Sequence, residues 1–431
     1  MGRLIAGLVA GLAALVVTPP CFAQQAPPPL TLDAAEQLAL ANHPQIRAAE
    51  DLADAAAAAV REVRSAYYPF AVGNLTGAAA LSNSRIAAGA LNNPVIYDRY
   101  ANGITVGQLL TDFGRTGNLT GSADLRRQAL QETVMAARVE IQLRVAQTYF
   151  ATLRAQAVAQ VAEETVRARQ TVADQVTALA QNQLKSDLDV SFARVNLAQA
   201  QLLLVQAQND VQASFADLST ALGYPDQRIF TLVESQPSVT PLAALDVLTA
   251  EALRIRPDVV SQRLDLASDQ RFAEAQADLW RPSVSFVASV GLTPFRQAAL
   301  SSRYAAAGVN VSVPLFNGHL FGALRSEAQA RADAQRERVR DLENRVAHDV
   351  RIAWLHASAG RQRLDLTDQL AAQATRAFAL AQSRYQLGLS SIIELSQAQL
   401  NLTEAQIAQA AARYDYATEL AVLRFQAGQT P

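Results

Sequence analysis

Hydrophobic and polar residues alternate with a period of two in four stretches of the chain. The clearest are SVSFVASVGLT, from Ser283, and AAAGVNVSVPLF, from Ala305, and weaker examples begin at Phe70 and Asn102. Successive side chains of a strand point to opposite faces, so each stretch predicts a strand with an apolar and a polar face. The strands are predicted at about residues 68–82, 103–113, 282–294 and 304–316. Each is long enough for the roughly 9–11 residues with which a tilted strand crosses a membrane.

Long helices are predicted where helix-forming residues run without interruption. No Gly or Pro occurs from Ser122 to Leu222, and only Gly360 and Gly388 interrupt the corresponding helical stretch of the second half. At about 1.5 Å per residue, a helix from Ser122 to about Ala180 spans on the order of 90 Å. A globular domain of this size does not contain such a helix. We therefore expect long antiparallel hairpins, each with two helices joined at a tip.

The chain is a two-copy repeat. ALANHPQI, from Ala39, recurs as ALRIRPDV, from Ala252, and Asn196 and Leu197 recur as Asn401 and Leu402. The domains are a first repeat, 24–234, a linker, 235–244, and a second repeat, 245–431. Each repeat holds a helical segment, a strand pair and a long helical hairpin, so the predicted fold class is α+β and mostly α.

Residues 1–23 have the organisation of a secretory signal peptide. Arg3 supplies the positive charge, residues 4–17 the apolar segment, and Ala23 ends a small-residue cleavage site. Cys21, the only cysteine, lies inside this segment. We expect it to be removed with the peptide, and the alternative is a lipidated N-terminal cysteine. After removal, the mature chain would have neither disulfides nor thiol chemistry.

Charge balance and motif content argue against nucleic-acid binding and catalysis. The 37 basic and 39 acidic side chains give no case for the basic face that nucleic acids require. The sequence contains no nucleotide-binding, dinucleotide-binding or serine-nucleophile motif. His348 and His356 lack metal-ligand partners at helical spacing. We expect no enzyme activity and no cofactor, so energy for any transport must come from a partner.

The segments LSSIIEL and LKSDLDV interrupt the two long helical stretches at matched positions. Ser391 and Glu394 have the spacing of a helix capping box, and so have Ser186 and Asp189. Gly388 suits the left-handed conformation that ends a helix. Both segments are therefore predicted to be turns between the helices of a hairpin.

The repeat order, the strand pairs and the tip YQLGLSSIIELSQAQLNL, from Tyr385, together resemble the TolC-like outer-membrane efflux proteins. The resemblance implies a homotrimer in outer-membrane lipid, with its helical part in the periplasm. Four strands from each chain would form a twelve-stranded transmembrane β-barrel, joined to a periplasmic α-helical barrel. It also implies a passive exit duct for efflux or type I secretion. Such ducts dock to a periplasmic adaptor protein and an inner-membrane pump of RND or ABC type.

The resemblance also assigns roles to tip residues. Glu394, Asp189 and Tyr385 match the acids and the tyrosine of the pore aperture. Ser390 stands where the family has a gate arginine, and Gln397 where it has a second acid. The adaptor-docking tips comprise Leu184, Lys185, Ser186, Leu387, Gly388, Leu389 and Ser390. Without the gate arginine, we expect packing of Leu387 and Leu389 to help hold the closed state.

Two other protein classes also contain long helical hairpins. A periplasmic adaptor has one hairpin flanked by lipoyl-like β halves, and a structural coiled-coil envelope protein has no channel. The two copies, each with a membrane-type strand pair, argue against both alternatives.

Overall fold

The computed structural model describes residues 29–81, 84, 96, 98–234, 241–296, 298 and 301–429. The predicted signal peptide with Cys21 and most of the predicted linker lie outside these residues. The described chain is mostly helical with a few strands, which confirms the predicted fold class. Within the same residues, no helix combines the length and the apolar character needed to cross a membrane.

Apart from two short strands, which the described residues contain only in the first repeat, helices and strands follow one another in the same order in both repeats. The first repeat contains β1 (Pro29–Leu30), α1 (Leu32–Asn42), α2 (Pro44–Arg64), β2 (Phe70–Ala78), β3 (Arg99–Thr111), α3 (Arg115–Gln181), α4 (Asp187–Ala221) and β4 (Thr231–Leu232). The second contains α5 (Leu245–Ile255), α6 (Pro257–Ala277), β5 (Ser283–Arg296), β6 (Arg303–Ser312), α7 (Leu320–Gln386) and α8 (Ile392–Gln426). A short 3₁₀ turn follows α2 and another follows α6.

Corresponding helices of the two repeats have equal lengths. α3 and α7 have 67 residues each, and α4 and α8 have 35. α1 and α5 have 11 residues, and α2 and α6 have 21. These equal lengths confirm the two-copy repeat. At about 1.5 Å per residue, α3 and α7 are each about 100 Å long.

Matched sequence features begin and end these helices. α2 and α6 begin at Pro44 and Pro257. Proline is tolerated there because the first turn leaves its N–H groups without helical partners. Gly223 and Gly428 follow α4 and α8 with φ angles of 84° and 80°. Glycine adopts this left-handed conformation without the steric penalty of a Cβ, so both helices end at the same place in their repeats.

The sheet joins the two repeats. Its strands run antiparallel in the order β2–β3–β5–β6, and β3 pairs with β5 across the repeat boundary. Phe286 lies opposite Val309, and Ser285 lies opposite Asn310. These pairs place apolar side chains on one face and polar side chains on the other. Among the described residues, the outer edges of β2 and β6 have no strand partner.

Tyr149 of α3 organises the larger core cluster. Its hydroxyl oxygen lies 2.9 Å from the Leu30 carbonyl oxygen and 2.6 Å from the Val233 carbonyl oxygen, so its single proton is shared between the two acceptors. These bonds hold the parallel pair β1–β4 against α3. Apolar side chains of α1, α2, α3, α4 and α8 complete this cluster, and a second cluster joins α5, α6, α7 and α8. The helices are thus packed together well away from the turns at the hairpin tips.

Candidate functional site at the helical tips

The α3–α4 turn and the α7–α8 turn have the same backbone geometry. Gly388 has a φ of 74°, and Gln183, the matched residue of the first tip, has a φ of 59°. Leu389 and Leu184 each donate their N–H to the carbonyl five residues earlier, at 2.8 and 2.9 Å. This closure is a Schellman motif, which ends a helix. Gly388 therefore has the conformation that its sequence predicts, and Gln183 adopts it despite its Cβ.

The two tips differ in how their second helix is capped. Ser186 Oγ accepts from the Asp189 N–H at 3.2 Å, and the Ser186 N–H donates to Asp189 Oδ2 at 3.1 Å, which completes a capping box. Ser391 Oγ accepts from the Glu394 N–H at 3.4 Å. The prediction that the Ser391 N–H also donates to the Glu394 carboxylate, which would complete a capping box, is wrong. Glu394 Oε1 instead lies 3.4 Å from Arg384 Nε, because the guanidinium attracts the carboxylate across the turn.

Three predicted tip residues meet around a buried tyrosine. The Tyr385 side chain is 7% exposed, and its hydroxyl has no hydrogen-bond partner among the described residues. Lys185 Nζ of the first tip lies 4.0 Å from the centroid of the Tyr385 ring, a cation–π contact. Burial raises the pKa of Tyr385, and the negative charge of Asp189 raises it further. Lys185 and Tyr385 thus form a contact between the two hairpins, and the charge of Asp189 acts on the same tyrosine.

Packing below this contact fixes the two tips to each other. A small apolar cluster contains Ala173, Val176, Ala193, Tyr385, Ile392 and Leu395. Asn196 Nδ2 of α4 donates to Ser396 Oγ of α8 at 2.7 Å. The two turns therefore sit side by side.

The remaining predicted tip residues differ in exposure. Leu184, Leu387 and Leu389 are 68%, 74% and 67% exposed. Ser186 and Gly388 are also exposed, and Ser390 is half-buried. Within a single chain, Leu387 and Leu389 lie outside the apolar cluster that Ile392 and Leu395 fill, and their packing in a closed assembly stays a prediction. All three leucines remain available to another chain.

Arg384 is a tip residue that sequence reasoning missed. It occupies the last turn of α7, directly before Tyr385, and pairs with an acid in the first turn of α8. The sequence could have indicated this pair, because a basic residue in the last turn of one helix and an acidic residue in the first turn of the next are joined by a short connection. The Asn196–Ser396 bond had no such signal, because it depends on how the two repeats pack.

The described residues contain no metal-binding arrangement comparable to the contacts at the tips. In the part of the chain that the structure describes, no group of three His, Cys, Asp or Glu side chains could hold a metal ion. The exposed His348 has its Nδ1 3.0 Å from Oδ1 of its neighbour Asp349. His356 lines an open groove beside Glu419.

Comparison with known proteins identifies the family. The family described as outer membrane efflux protein matches residues 35–224 and 248–429, one range in each repeat. The chain belongs to the outer membrane efflux protein family. This is a family of transport channels, and its two matched ranges follow the duplication seen in the fold.

Two curated relatives of this outer membrane efflux protein align with it at low identity. The pyoverdine export outer membrane protein OpmQ of Pseudomonas putida is 26% identical over 270 residues, which cover 62% of this chain and 57% of OpmQ. The cobalt-zinc-cadmium resistance protein CzcC of Cupriavidus metallidurans is 24% identical over 398 residues, covering 90% of this chain and 87% of CzcC. The chain thus spans little more than half the length of OpmQ and most of CzcC.

Solved structures share the fold over nearly the whole chain. CusC superposes with a TM-score of 0.79 at 19% identity, covering 92% of each chain. VceC of Vibrio cholerae superposes with a TM-score of 0.78 at 19% identity, covering 92% of this chain and 96% of VceC. Outer membrane channels therefore have the same combination of strand pairs and long hairpins.

Proposed function

We propose that this protein is the passive outer-membrane exit duct of an efflux or type I secretion system. The observation that carries the proposal is the union, in one chain, of an open four-stranded sheet with two hairpins built on 67-residue helices. Family membership supports it. A sheet with one apolar and one polar face suits lipid on one side and water on the other. The sheet would lie in the outer membrane and the hairpins in the periplasm.

The free edges of β2 and β6 support assembly as a homotrimer. Unpaired backbone N–H and C=O groups at a sheet edge are too costly to remain in lipid. Three copies would pair these edges and close one sheet of twelve strands. The six hairpins of the trimer would then surround a common periplasmic tunnel.

The energy for transport would come from an inner-membrane pump of RND or ABC type, reached through a periplasmic adaptor. The exposed Leu184, Leu387 and Leu389 support docking of the tips to apolar positions of adaptor helices. Lys185, Ser186, Gly388 and Ser390 would complete this docking surface. OpmQ and CzcC are named for pyoverdine export and for cobalt-zinc-cadmium resistance. We infer that ducts of this kind leave the choice of cargo to the pump.

The tip acids would control the aperture. In a trimer, three copies each of Glu394 and Asp189 would place negative charge around the opening, which attracts cations. The Arg384 guanidinium beside Glu394 offsets part of this charge. Tyr385, held by Lys185, would keep neighbouring turns together in the closed state.

Full-length protein extracted from outer membranes in detergent provides the test. Light scattering should give three chains per particle, and heating should release monomers. In a planar lipid bilayer the protein should give discrete single-channel currents. A water-soluble monomer without conductance would contradict the proposal.

A further inference from the structure

Arg169 of α3 is a buried cation without a partner. Its side chain is 6% exposed, and its Nε has no hydrogen-bond acceptor among the described residues. Burial lowers the pKa of Arg169, and no neighbouring carboxylate raises it back. Burying a charged group without a partner is strongly unfavourable. A guanidinium that is retained in such a place therefore needs an acceptor from outside the chain.

A second unpartnered donor faces the same cavity. Gln399 of α8 is also 6% exposed, and its Nε2 has no acceptor among the described residues. Both side chains line a cavity of about 220 Å³ between α3, α7 and α8. Glu164 also lines it, but this exposed carboxylate accepts from Gln160 Nε2 at 3.4 Å and, among the described residues, forms no ion pair with Arg169. The cavity thus contains two donors, Arg169 Nε and Gln399 Nε2, to which no acceptor of the described residues is bound.

We propose that this cavity binds a small carboxylate, of the size of acetate or propionate. The planar guanidinium presents two parallel N–H donors that match the two oxygens of a carboxylate, and the Gln399 amide supplies a further donor. Phe378 and Leu402 provide apolar surface for a short alkyl group. The Thr165 and Thr403 hydroxyls donate their protons to backbone carbonyls at 2.8 and 3.0 Å. The buried donors left for a ligand are therefore those of Arg169 and Gln399. A bound carboxylate would join the first hairpin to the second about three helical turns from the tips.

The test uses the full-length protein purified in detergent, with sodium acetate as the probe. Sodium gluconate at equal ionic strength is the control, because gluconate is too bulky for the cavity. Acetate should raise the unfolding temperature saturably by several degrees, and saturation-transfer NMR should show its methyl protons in contact with the protein. Arg169→Met should remove both effects, and Gln399→Leu should weaken acetate binding about tenfold or more.

Arg167→Met is the matched control, because Arg167 is exposed on the same helix two residues away. It should retain the full response to acetate. Arg169→Lys keeps the charge without the planar fork and should bind acetate more weakly, which tests the site if the methionine variant does not fold. In gluconate, Arg169→Met should be at least as stable as the wild type.

Three results would overturn the proposal. The first is an equal response of the wild type to acetate and gluconate. The second is an undiminished acetate response in Arg169→Met. The third is an acetate response of Arg169→Lys as large as that of the wild type, which would show that the planar guanidinium does not hold the carboxylate.

Discussion

At the residue scale, the two tips meet the same backbone requirement with different side chains. Both Schellman turns need a residue with positive φ. Gly388 has no Cβ and adopts this conformation freely. In Gln183 the Cβ crowds the following carbonyl, which costs on the order of 1 kcal/mol. The first tip therefore ends its helix less favourably than the second.

Replacing Gln183 by glycine should stabilise the first tip by about 0.5–1 kcal/mol. The removal of strain exceeds the extra freedom that glycine gains in the unfolded chain. Amide hydrogen exchange at Leu184, whose N–H closes the turn at 2.9 Å, measures the local opening. The reciprocal control, Gly388→Gln, should accelerate exchange at Leu389. Faster exchange at Leu184 in the glycine variant would contradict this explanation.

Glu394 is the tip acid with the clearest electrostatic test. Glu394→Gln removes one charge per chain and its pairing with Arg384, which is exposed enough to contribute only about 0.2–1 kcal/mol. We therefore expect an intact assembly with reduced cation preference. The measurement is the reversal potential in bilayers under a potassium chloride gradient. Glu404→Gln, an exposed control ten residues further along α8, should leave that potential unchanged, and equal effects of the two substitutions would exclude an aperture role.

At the element scale, side-chain contacts hold one hairpin to the other. Lys185, in the turn between α3 and α4, stacks on Tyr385 near the end of α7. Asn196 of α4 bonds Ser396 of α8 below it. Any opening of the tips that separates the hairpins must break these contacts.

Lys185→Met should make the tips separate more readily. The substitution removes a cation–π contact of about 0.5–1 kcal/mol but keeps the apolar stem. In single-channel recordings, the variant should spend more time in high-conductance states than the wild type. Lys185→Arg, which can still stack its cation on the ring, should behave like the wild type. Identical recordings from the methionine variant would show that this contact does not restrain the tips.

The packing of α1 on α3 contains a titratable group near neutral pH. Burial, with a smaller effect of the Asp33 charge, raises the pKa of Glu36 to about 7, and the Gln142 hydrogen bond opposes the rise. Because the folded pKa exceeds the unfolded value of 4.5, stability from the protonated carboxyl is full below about pH 4.5 and is lost as pH rises through 7. Glu36→Gln should therefore gain stability relative to the wild type above pH 7.

Thermal unfolding of the wild type and the Glu36→Gln variant from pH 5 to pH 8.5, a range chosen to be roughly centred on the raised pKa, measures this difference. Asp33→Asn is the control, because it should move the midpoint of the wild-type pH dependence only slightly downward. Parallel pH profiles of the wild type and the glutamine variant would contradict the assignment.

The sequence predicted those elements whose signals are local. Alternation of apolar and polar residues marks β5 and β6, and the glycine-free run marks α3, because each pattern follows from the geometry of one element. The β3–β5 pairing and the Lys185–Tyr385 stack depend on how the two repeats pack together. Arg384 was missed because the predicted capping box gave the Glu394 carboxylate a backbone N–H as its partner. The Arg384 guanidinium, across the turn, attracts that carboxylate more strongly.

At the scale of the whole molecule, the same sheet must meet two environments. Val309 and Phe286 share the apolar face, and Asn310 and Ser285 share the polar face. The side chains of Val309 and Val311 are more than half exposed in a single chain. Water would disfavour such a surface, whereas lipid would cover it. The unpaired edges of β2 and β6 require neighbours in the same environment.

Arginine at two adjacent positions of β6 distinguishes these two faces. Val311 lies opposite Val284 on the apolar face, and Asn310 lies opposite Ser285 on the polar face. Val311→Arg would place a charge in lipid at about 2–4 kcal/mol per chain, multiplied over a trimer, and should greatly reduce the heat-dissociable assembly recovered from outer membranes. Asn310→Arg differs by one residue and should assemble normally, because its charge faces water. Equal recovery of both variants, or loss of only Asn310→Arg, would show that the apolar face of the sheet does not contact lipid.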